Sequence, residues 1–285
     1  LLQYRHFAKM SRYAQDYIDR LVDGCIHSHL KSEGTKTGRS SSSDPNIQNI
    51  PPELRGCFKS RFKDGVIFCP DIDSLEYRLI AHLSKDQTLL DLFSRKKDIH
   101  MHAVHKLFLV NDPTLRPIGK VINYSAVYGC GYEKFRSLSG INNVAMFYKT
   151  KEMYPGVDYL KVCIDHHVRQ HGSITNIFGR KRIIHDLKLD TQREIFNWVI
   201  QSSGHDILKI YIMQIMDDIE RHNLKALVVN DVHDEVVIDC APESKGWLHH
   251  ILAQYAVLND LIQRYFGVKL LVDIPVKIVE ANEWV

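Results

Sequence analysis

The stretch that most constrains the fold is residues 228–239, VVNDVHDEVVID, where two β-branched runs meet at His233, Asp234 and Glu235. Alternation of β-branched and polar residues predicts a strand, a tight turn and a second strand, with the Asp234 carboxylate at the tip of the hairpin. Adjacent carboxylates repel, and a neutralising cation would give that placement a reason. Asp is also a good turn former, so the motif alone leaves turn chemistry and metal binding both open.

A second acidic strand end lies far upstream, in GVIFCPDIDSLEYRLIAHLSKD. Val66, Ile67, Phe68 and Cys69 predict a short buried strand, while Leu75, Leu79, Ile80 and Leu83 share one helical face, so Asp71 falls at a strand-to-helix junction. Two hard oxygen ligands from separate strand ends, completed by waters and substrate phosphates, suit Mg²⁺ better than an all-protein cage does. A two-metal phosphoryl-transfer site then comes within reach. Just beyond, Asp73 and Glu76 form a D-x-x-E capping box, which is a complete structural reason for both residues.

Composition narrows the class without naming a function. A chain of 285 residues, 45% of them hydrophobic, can bury one large core or two smaller ones. No run of about 18 apolar residues occurs and the first residues lack the shape of a signal peptide, so no membrane is expected and the protein is expected to be intracellular. The six cysteines include no CxxC pair, against a zinc ribbon and a disulfide scaffold, and are read as reduced and structural. A net charge of +3 does not by itself announce a nucleic-acid partner. Histidine pairs such as His27/His29 and His102/His105 have no Cys or acidic partner at ligand spacing and read as solvated or core.

Along the chain, Tyr4, Phe7, Met10, Ala14, Tyr17, Ile18 and Leu21 predict a helix within residues 1–30, ended by Gly24. Residues 35–52 read by composition as a flexible linker. Residues 85–108 are helical and mostly polar. Arg116, Lys120, Tyr124 and Tyr128 recur every four residues and put two cations and two phenols on one helical face. Pro117 suits the first turn and places Arg116 at a helix N-terminus, where free N–H groups favour phosphate. Gly129 and Gly131 end that helix. Residues 134–182 continue as helices and turns without assignable chemistry. Thr191, Gln192, Arg193 and Glu194 form a second capping box opening a long helix. Its polar face repeats Arg193, Asn197 and Gln201, where a solvated face would more often show Lys and Glu, and is read as facing nucleic acid. A helix over residues 244–265 and a strand over 274–279 are expected to close the chain.

Taken together, TGRSSSSDPNIQNIP, DIDSLEYRLIAHLS, KDIH, the RPIGKVINYSAVYG run, YPGV and VHDE resemble the family A DNA polymerases, typified by bacterial DNA polymerase I and its phage relatives. The resemblance covers nearly the whole chain. It implies an α+β right-hand polymerase whose antiparallel-sheet palm occupies residues 1–95, with a residual thumb-base helix, and residues 188–285. Helical fingers at 96–187 lie between, and the thumb is largely absent. With no initiator Met either, the chain is expected to be a fragment, or a protein trimmed to palm and fingers.

The resemblance further implies template-directed addition of deoxynucleotides to a primer 3′-hydroxyl with two Mg²⁺ ions, for which Mn²⁺ substitutes. Asp71, Asp234 and the main-chain carbonyl of Ile72 would bind metal, and Glu235 and His233 would support the site. Arg116 and Lys120 fall on the phosphates, Lys120 also as a catalytic residue, and His100 near the triphosphate. Glu76 matches the steric gate that occupies the space of a ribose 2′-hydroxyl. Tyr124 lies under the sugar and base and Tyr128 beside the templating base. Arg39 and Gln48 would run along the primer-template minor groove, where acceptors common to all base pairs let a side chain check shape. Arg193, Asn197, Gln201 and His233 complete the DNA contacts.

The sequence departs from the family pattern at Asp73, where Ser or Ala is usual, at Ser74, where Gln or Gly is usual, and at Ser202, where Gly is usual. The implied partners are primer-template DNA and dNTPs; an upstream exonuclease or thumb segment, or a processivity partner, is left open. Two alternatives stand beside this reading: a single-subunit RNA polymerase, against which Glu76 and Glu235 argue, and a catalytically idle DNA-binding or replisome-assembly module.

Overall fold

A computed structural model describes residues 2–185 and 189–284. In chain order it contains helix α1 (Leu2–Asp19), hairpin β1 (Leu21–Val22) and β2 (Cys25–Ile26), hairpin β3 (His29–Lys31) and β4 (Ser41–Ser43), the short helix α2 (Pro52–Arg55) and strand β5 (Val66–Ile72). Helices α3 (Leu75–Ser84), α4 (Gln87–Ser94), α5 (Ile99–Phe108), α6 (Arg116–Tyr128), α7 (Tyr132–Ser139), α8 (Val144–Lys151) and α9 (Pro155–His171) follow, then hairpin β6 (Ser173–Thr175) and β7 (Lys181–Ile183). The long helix α10 (Leu189–Arg221), hairpin β8 (Ala226–Val232) and β9 (Glu235–Cys240), helices α11 (Lys245–Gln254) and α12 (Asn259–Phe266), and strand β10 (Val276–Ala281) complete the order.

These elements form two compact units. The first comprises residues 1–73, 204–267 and 274–285, and the second comprises residues 74–203 and 268–273. Within the second unit α4 is tied to α9, since the Asp86 carboxylate that caps α4 also accepts from Gly156 N at 2.9 Å. Helix α10 contributes to both, its residues through Ser203 grouping with the second unit and those from Gly204 with the first.

The first unit is built on an antiparallel sheet of order β10-β5-β9-β8. Cross-strand partners share a face, and the register pairs Ile67 with Asp239, Asp71 with Glu235 and Val232 with Glu235. One face therefore carries Ile67, Cys69, Val232 and Val237 into a core with Tyr17, Ile50 and Trp284. Phe68, Val236 and Ile238, which alternate with them, are fully buried on the other face. With both faces covered, β5 reads as a continuous apolar run rather than an alternating one. Each such side chain contributes about 1.5–3 kcal/mol relative to exposure. A β-bulge between Val228 and Asn230 shifts the β8 register, the extra residue being accommodated by a local bend.

In the second unit α5 and α6 cross closely because residue 119 is glycine: a Cβ there would collide with the main-chain carbonyl of His100. Buried Asn123 then joins three elements, donating to Ile99 O at 2.9 Å, meeting His100 Nδ1 at 3.0 Å and accepting from Tyr154 Oη at 2.7 Å.

Several sequence expectations are corrected. The first helix stops at Asp19, and Gly24 serves a hairpin turn in which Asp23 and Gly24 have φ of 51° and 75°, the left-handed pair that Asp-Gly favours. The N-cap of α3 is Ser74 rather than Asp73, with φ 55° and no side-chain cap bond of its own, and Asp73 pairs with Lys277 at 2.6 Å. Helix α10 begins at Leu189, ahead of the expected cap Thr191, whose side chain lies outside the described residues. The closing helix is two helices, because Val276 N donates to Ala256 O and Leu258 N to Ile274 O, both at 2.9 Å, pulling residues 256–258 onto the chain that leads into β10. All six cysteines are free. Among the described residues no helix is long and apolar enough to cross a membrane.

Candidate active site

In the first unit the acidic strand ends lie side by side. Asp71, near the end of β5, is directly opposite Glu235 at the start of β9 and opposite Lys277 of β10. The two-residue turn His233-Asp234 joins β8 to β9, with His233 at φ 57°, and Ile72 N donates to Asp234 O at 3.0 Å. This bond fixes the Asp234 turn against the end of the strand that carries Asp71.

Asp71 and Glu235 continue the face that buries Ile67 and Cys69, so Asp71 is half-buried. Its carboxyl is pushed above the usual range, first by burial and then by the nearby charges of Glu235 and Asp73, against which Lys277 acts. Glu235 is held by the protein itself: Oε1 accepts from Trp284 Nε1 at 2.9 Å and lies 4.0 Å from Arg55, whose guanidinium stacks 4.7 Å from the Trp284 ring. Among the described residues no group of three or more His, Cys, Asp or Glu is gathered to hold a metal ion. The unit instead offers two strand-end carboxylates and a main-chain carbonyl. That sparse donor set fits Mg²⁺, which keeps several waters and takes further oxygens from substrate phosphates.

Arg39 and Gln48 also belong to the first unit. Both are half-buried. Gln48 is pinned through its amide to Ser40 Oγ at 2.8 Å and to the main-chain O of Asp231 at 3.0 Å. His233 is exposed.

In the second unit α6 presents the expected face. Arg116 and Lys120 are exposed and Tyr124 is 46% exposed, with its ring centroid 5.1 Å from that of Tyr128. Tyr128 Oη donates to Glu76 Oε2, so the phenol of α6 and the carboxylate of α3 form one polar pair. Burial, then Glu76, pushes the Tyr128 hydroxyl far above its ordinary range, which keeps it a donor. Arg116 Nε is 2.7 Å from Asp98 Oδ2. His100 is buried, meets Asn123 through Nδ1 and stands edge-on to Tyr77 at 5.7 Å. A pocket of about 340 Å³ opens beside Tyr77, His100, Lys120, Tyr124 and Cys130. On α10, Arg193 is exposed and Asn197 and Gln201 are half-buried. A second pocket of about 250 Å³ is bounded by Tyr128, Gly129, Lys161, Arg193 and Phe196.

The structure thus brings Asp71, Asp234, Ile72 and Glu235 together in one unit, and Glu76, His100, Lys120, Tyr124 and Tyr128 around α6 in the other. Sequence reasoning missed Trp284, Asp98, Ser40 and Asp231. Asp231 sits in the alternating hairpin stretch, but that period announces a strand and not its contact with Ser40 and Gln48; of the rest only Asp98, an Asp ahead of an apolar run, carries a legible cap signal.

In fold the chain is a polymerase domain. It superimposes on the POL domain of Pol1 from M. smegmatis in complex with DNA primer-template and dNTP with a TM-score of 0.87 at 22% identity, covering 99% of this chain and 52% of that one. The chain belongs to DNA polymerase family A, which it matches over residues 1–285. It is similar to DNA polymerase I of Caldicellulosiruptor bescii, at 29% identity over 100% of this chain and 35% of the relative. DNA polymerase I of Streptococcus pneumoniae serotype 4 is 31% identical over 86% of this chain and 30% of that protein. The thermostable DNA polymerase I of Thermus thermophilus is 30% identical over 86% of this chain and 32% of that protein. The chain therefore spans about a third of the length of these relatives.

Proposed function

We propose that this chain carries the polymerase site of a template-directed DNA polymerase, adding deoxynucleotides to a primer 3′-hydroxyl. The observation that carries the reading is the junction of β5 with the β8–β9 turn, where Ile72 N–H binds Asp234 O and the half-buried Asp71 meets Glu235. Asp71, Asp234 and the Ile72 carbonyl would hold the divalent ions. When bound, two Mg²⁺ ions lower the pKa of the attacking hydroxyl and stabilise the departing pyrophosphate. The protein's own groups do the rest. Glu235, fixed by Trp284, adds negative potential without leaving its partners. Arg116 and Lys120 neutralise triphosphate charge, Lys120 at the edge of the 340 Å³ pocket that His100 and Tyr124 also line.

Glu76, oriented by Tyr128, occupies the room of a 2′-hydroxyl and so selects deoxyribose. Tyr128, Arg193, Asn197 and Gln201 would face template and primer, and Arg39, Gln48 and His233 the nascent duplex. In this reading the first unit contains the palm and the second the fingers, with residues 96–187 at the latter's centre.

Primer extension with Mg²⁺ tests the proposal. Asp71→Asn and Asp234→Asn are expected to abolish extension while primer-template binding persists, because each removes a metal ligand and spares the basic contacts. Extension that survives either change refutes the assignment. Loss of DNA binding together with activity would show misfolding rather than a lost ligand. Use of ribonucleotides in preference to deoxynucleotides would turn the reading to RNA synthesis.

A further inference from the structure

We infer that Ser40 and Asp231 are positioning residues that turn the Gln48 amide so that it meets DNA through its carbonyl oxygen and not through its N–H groups. The inference rests on the DNA-synthesis reading above. A primary amide has two N–H donors, and both are spent inside the protein: Nε2 donates to Ser40 Oγ at 2.8 Å and to Asp231 O at 3.0 Å, with Asp231 Oδ1 3.4 Å away. The orientation is fixed by chemistry, since a main-chain carbonyl can only accept and the amide atom facing it must be nitrogen.

The next bonds leave no slack. Ser40 Oγ gives its single proton to Asp231 Oδ2, which leaves a lone pair to receive Gln48. Ser40 N donates to His205 Nε2 at 3.1 Å, anchoring the residue to the buried face of α10. The main chain of Gln48 is fixed as well, its N–H lying 3.1 Å from Asn46 Oδ1 and 3.3 Å from Ser42 Oγ. Gln48 to Ser40 to Asp231 is a directed chain ending on a carboxylate, and reversing the amide would set its oxygen against two acceptors. Among the described residues Oε1 receives no hydrogen bond, so it is the polar atom left to present.

That orientation changes what the side chain can read. Every base pair offers acceptors in the minor groove, but only a pair containing guanine offers a donor, its exocyclic amine. A glutamine with free N–H groups reads the common acceptors and is indifferent to sequence. This one presents an acceptor, so its direct partner is the guanine amine.

The test is steady-state extension of primer-templates with guanine, inosine or 3-deazaguanine placed in turn at the three duplex positions nearest the primer end. Inosine lacks the amine; 3-deazaguanine lacks the groove acceptor. For the unaltered protein, inosine at the contacted position is expected to lower kcat/KM roughly three- to tenfold, the scale of one neutral hydrogen bond, with 3-deazaguanine within about twofold of guanine. Ser40→Ala removes the side-chain acceptor of one Gln48 N–H and frees it for the groove, and the order of the two penalties should then reverse. A 3-deazaguanine penalty without an inosine penalty in the unaltered protein overturns the inference, as does the same analogue profile in a folded variant as in the parent. Loss of fold in the variant leaves the parent's own profile to decide. Absence of extension on ordinary DNA would instead overturn the polymerase reading on which this rests.

Discussion

Arg116 Nε lies 2.7 Å from Asp98 Oδ2, while Oδ1 of the same carboxylate caps α5 by accepting from His100 N and Met101 N at 2.7 and 3.1 Å. Burial acts to raise that carboxyl, but the bonds from Arg116, Met101 and His100 outweigh it and hold Asp98 below its usual range. The carboxylate thus stands where Arg116 would otherwise offer its charge to a phosphate. Asp98→Asn retains a side-chain cap and removes the competing charge. Because the pair is exposed, stability should change by less than about 1 kcal/mol, while KM for the incoming nucleotide falls roughly two- to fivefold as Arg116 is released. A raised KM at unchanged melting temperature would show instead that Asp98 aims the guanidinium. At this scale the sequence was partly legible. The four-residue spacing put Arg116, Lys120, Tyr124 and Tyr128 on one face, but nothing local pairs Arg116 with a residue 18 positions away or Glu235 with Trp284.

Among the elements, α5 and α6 depend on Gly119 for their separation. Gly119→Ala places a methyl against the His100 carbonyl, a main-chain atom that yields only if the helices part. Overpacking of this kind costs about 1–3 kcal/mol, and because Lys120 is the next residue, KM for nucleotide should rise as the melting temperature falls. Thermal unfolding alongside nucleotide titration measures both; an unchanged melting point would mean that the crossing is looser than its geometry. The β8–β9 hairpin and β5 were legible because burial on a sheet imposes a run or a period of two. The break at residues 256–258 was not, since it contains neither Gly nor Pro and is made by hydrogen bonds to residues 274 and 276. The cap of α3 falls one residue later than expected, at Ser74, and the Asp73 carboxylate meets Lys277 of β10, a contact that local sequence does not announce.

For the molecule as a whole, acid should destabilise before the carboxylates titrate. Burial and then Lys85 push His82 below the ordinary histidine range, and Leu271 N donates to its Nδ1, a bond that needs the neutral ring. His102 is pushed down by burial and then by Lys106, His105 and Lys97, with Asp91 opposing, and its Nε2 is buried without a partner among the described residues. For a histidine whose folded pKa lies below its unfolded value, the unfolded chain binds the proton first as pH falls. The contribution is therefore fully present well above the unfolded pKa of about 6.5 and is lost as pH falls through it. The melting temperature should drop between about pH 7.5 and 5.5, and His102→Gln should flatten part of that drop; a flat parent profile over this range would contradict the burial of both rings. Such long-range surroundings are what a single sequence least reveals. Asp71 and Asp234 could be named from their strand ends, but the register that sets Asp71 opposite Glu235 and Lys277 is a property of three strands at once.

The Gln48 contact also has a meaning unrelated to DNA. Strand β8 is the outer strand of its sheet, and the turn Ile47–Asn49 lies along it, with Asn230 Nδ2 donating to Ile47 O and Gln48 Nε2 to Asp231 O. An uncovered outer strand is a template for pairing with another chain. The segment that would handle the duplex therefore also guards the sheet against self-association, so replacing residues 44–50 by a featureless linker should convert the protein into concentration-dependent oligomers visible by light scattering.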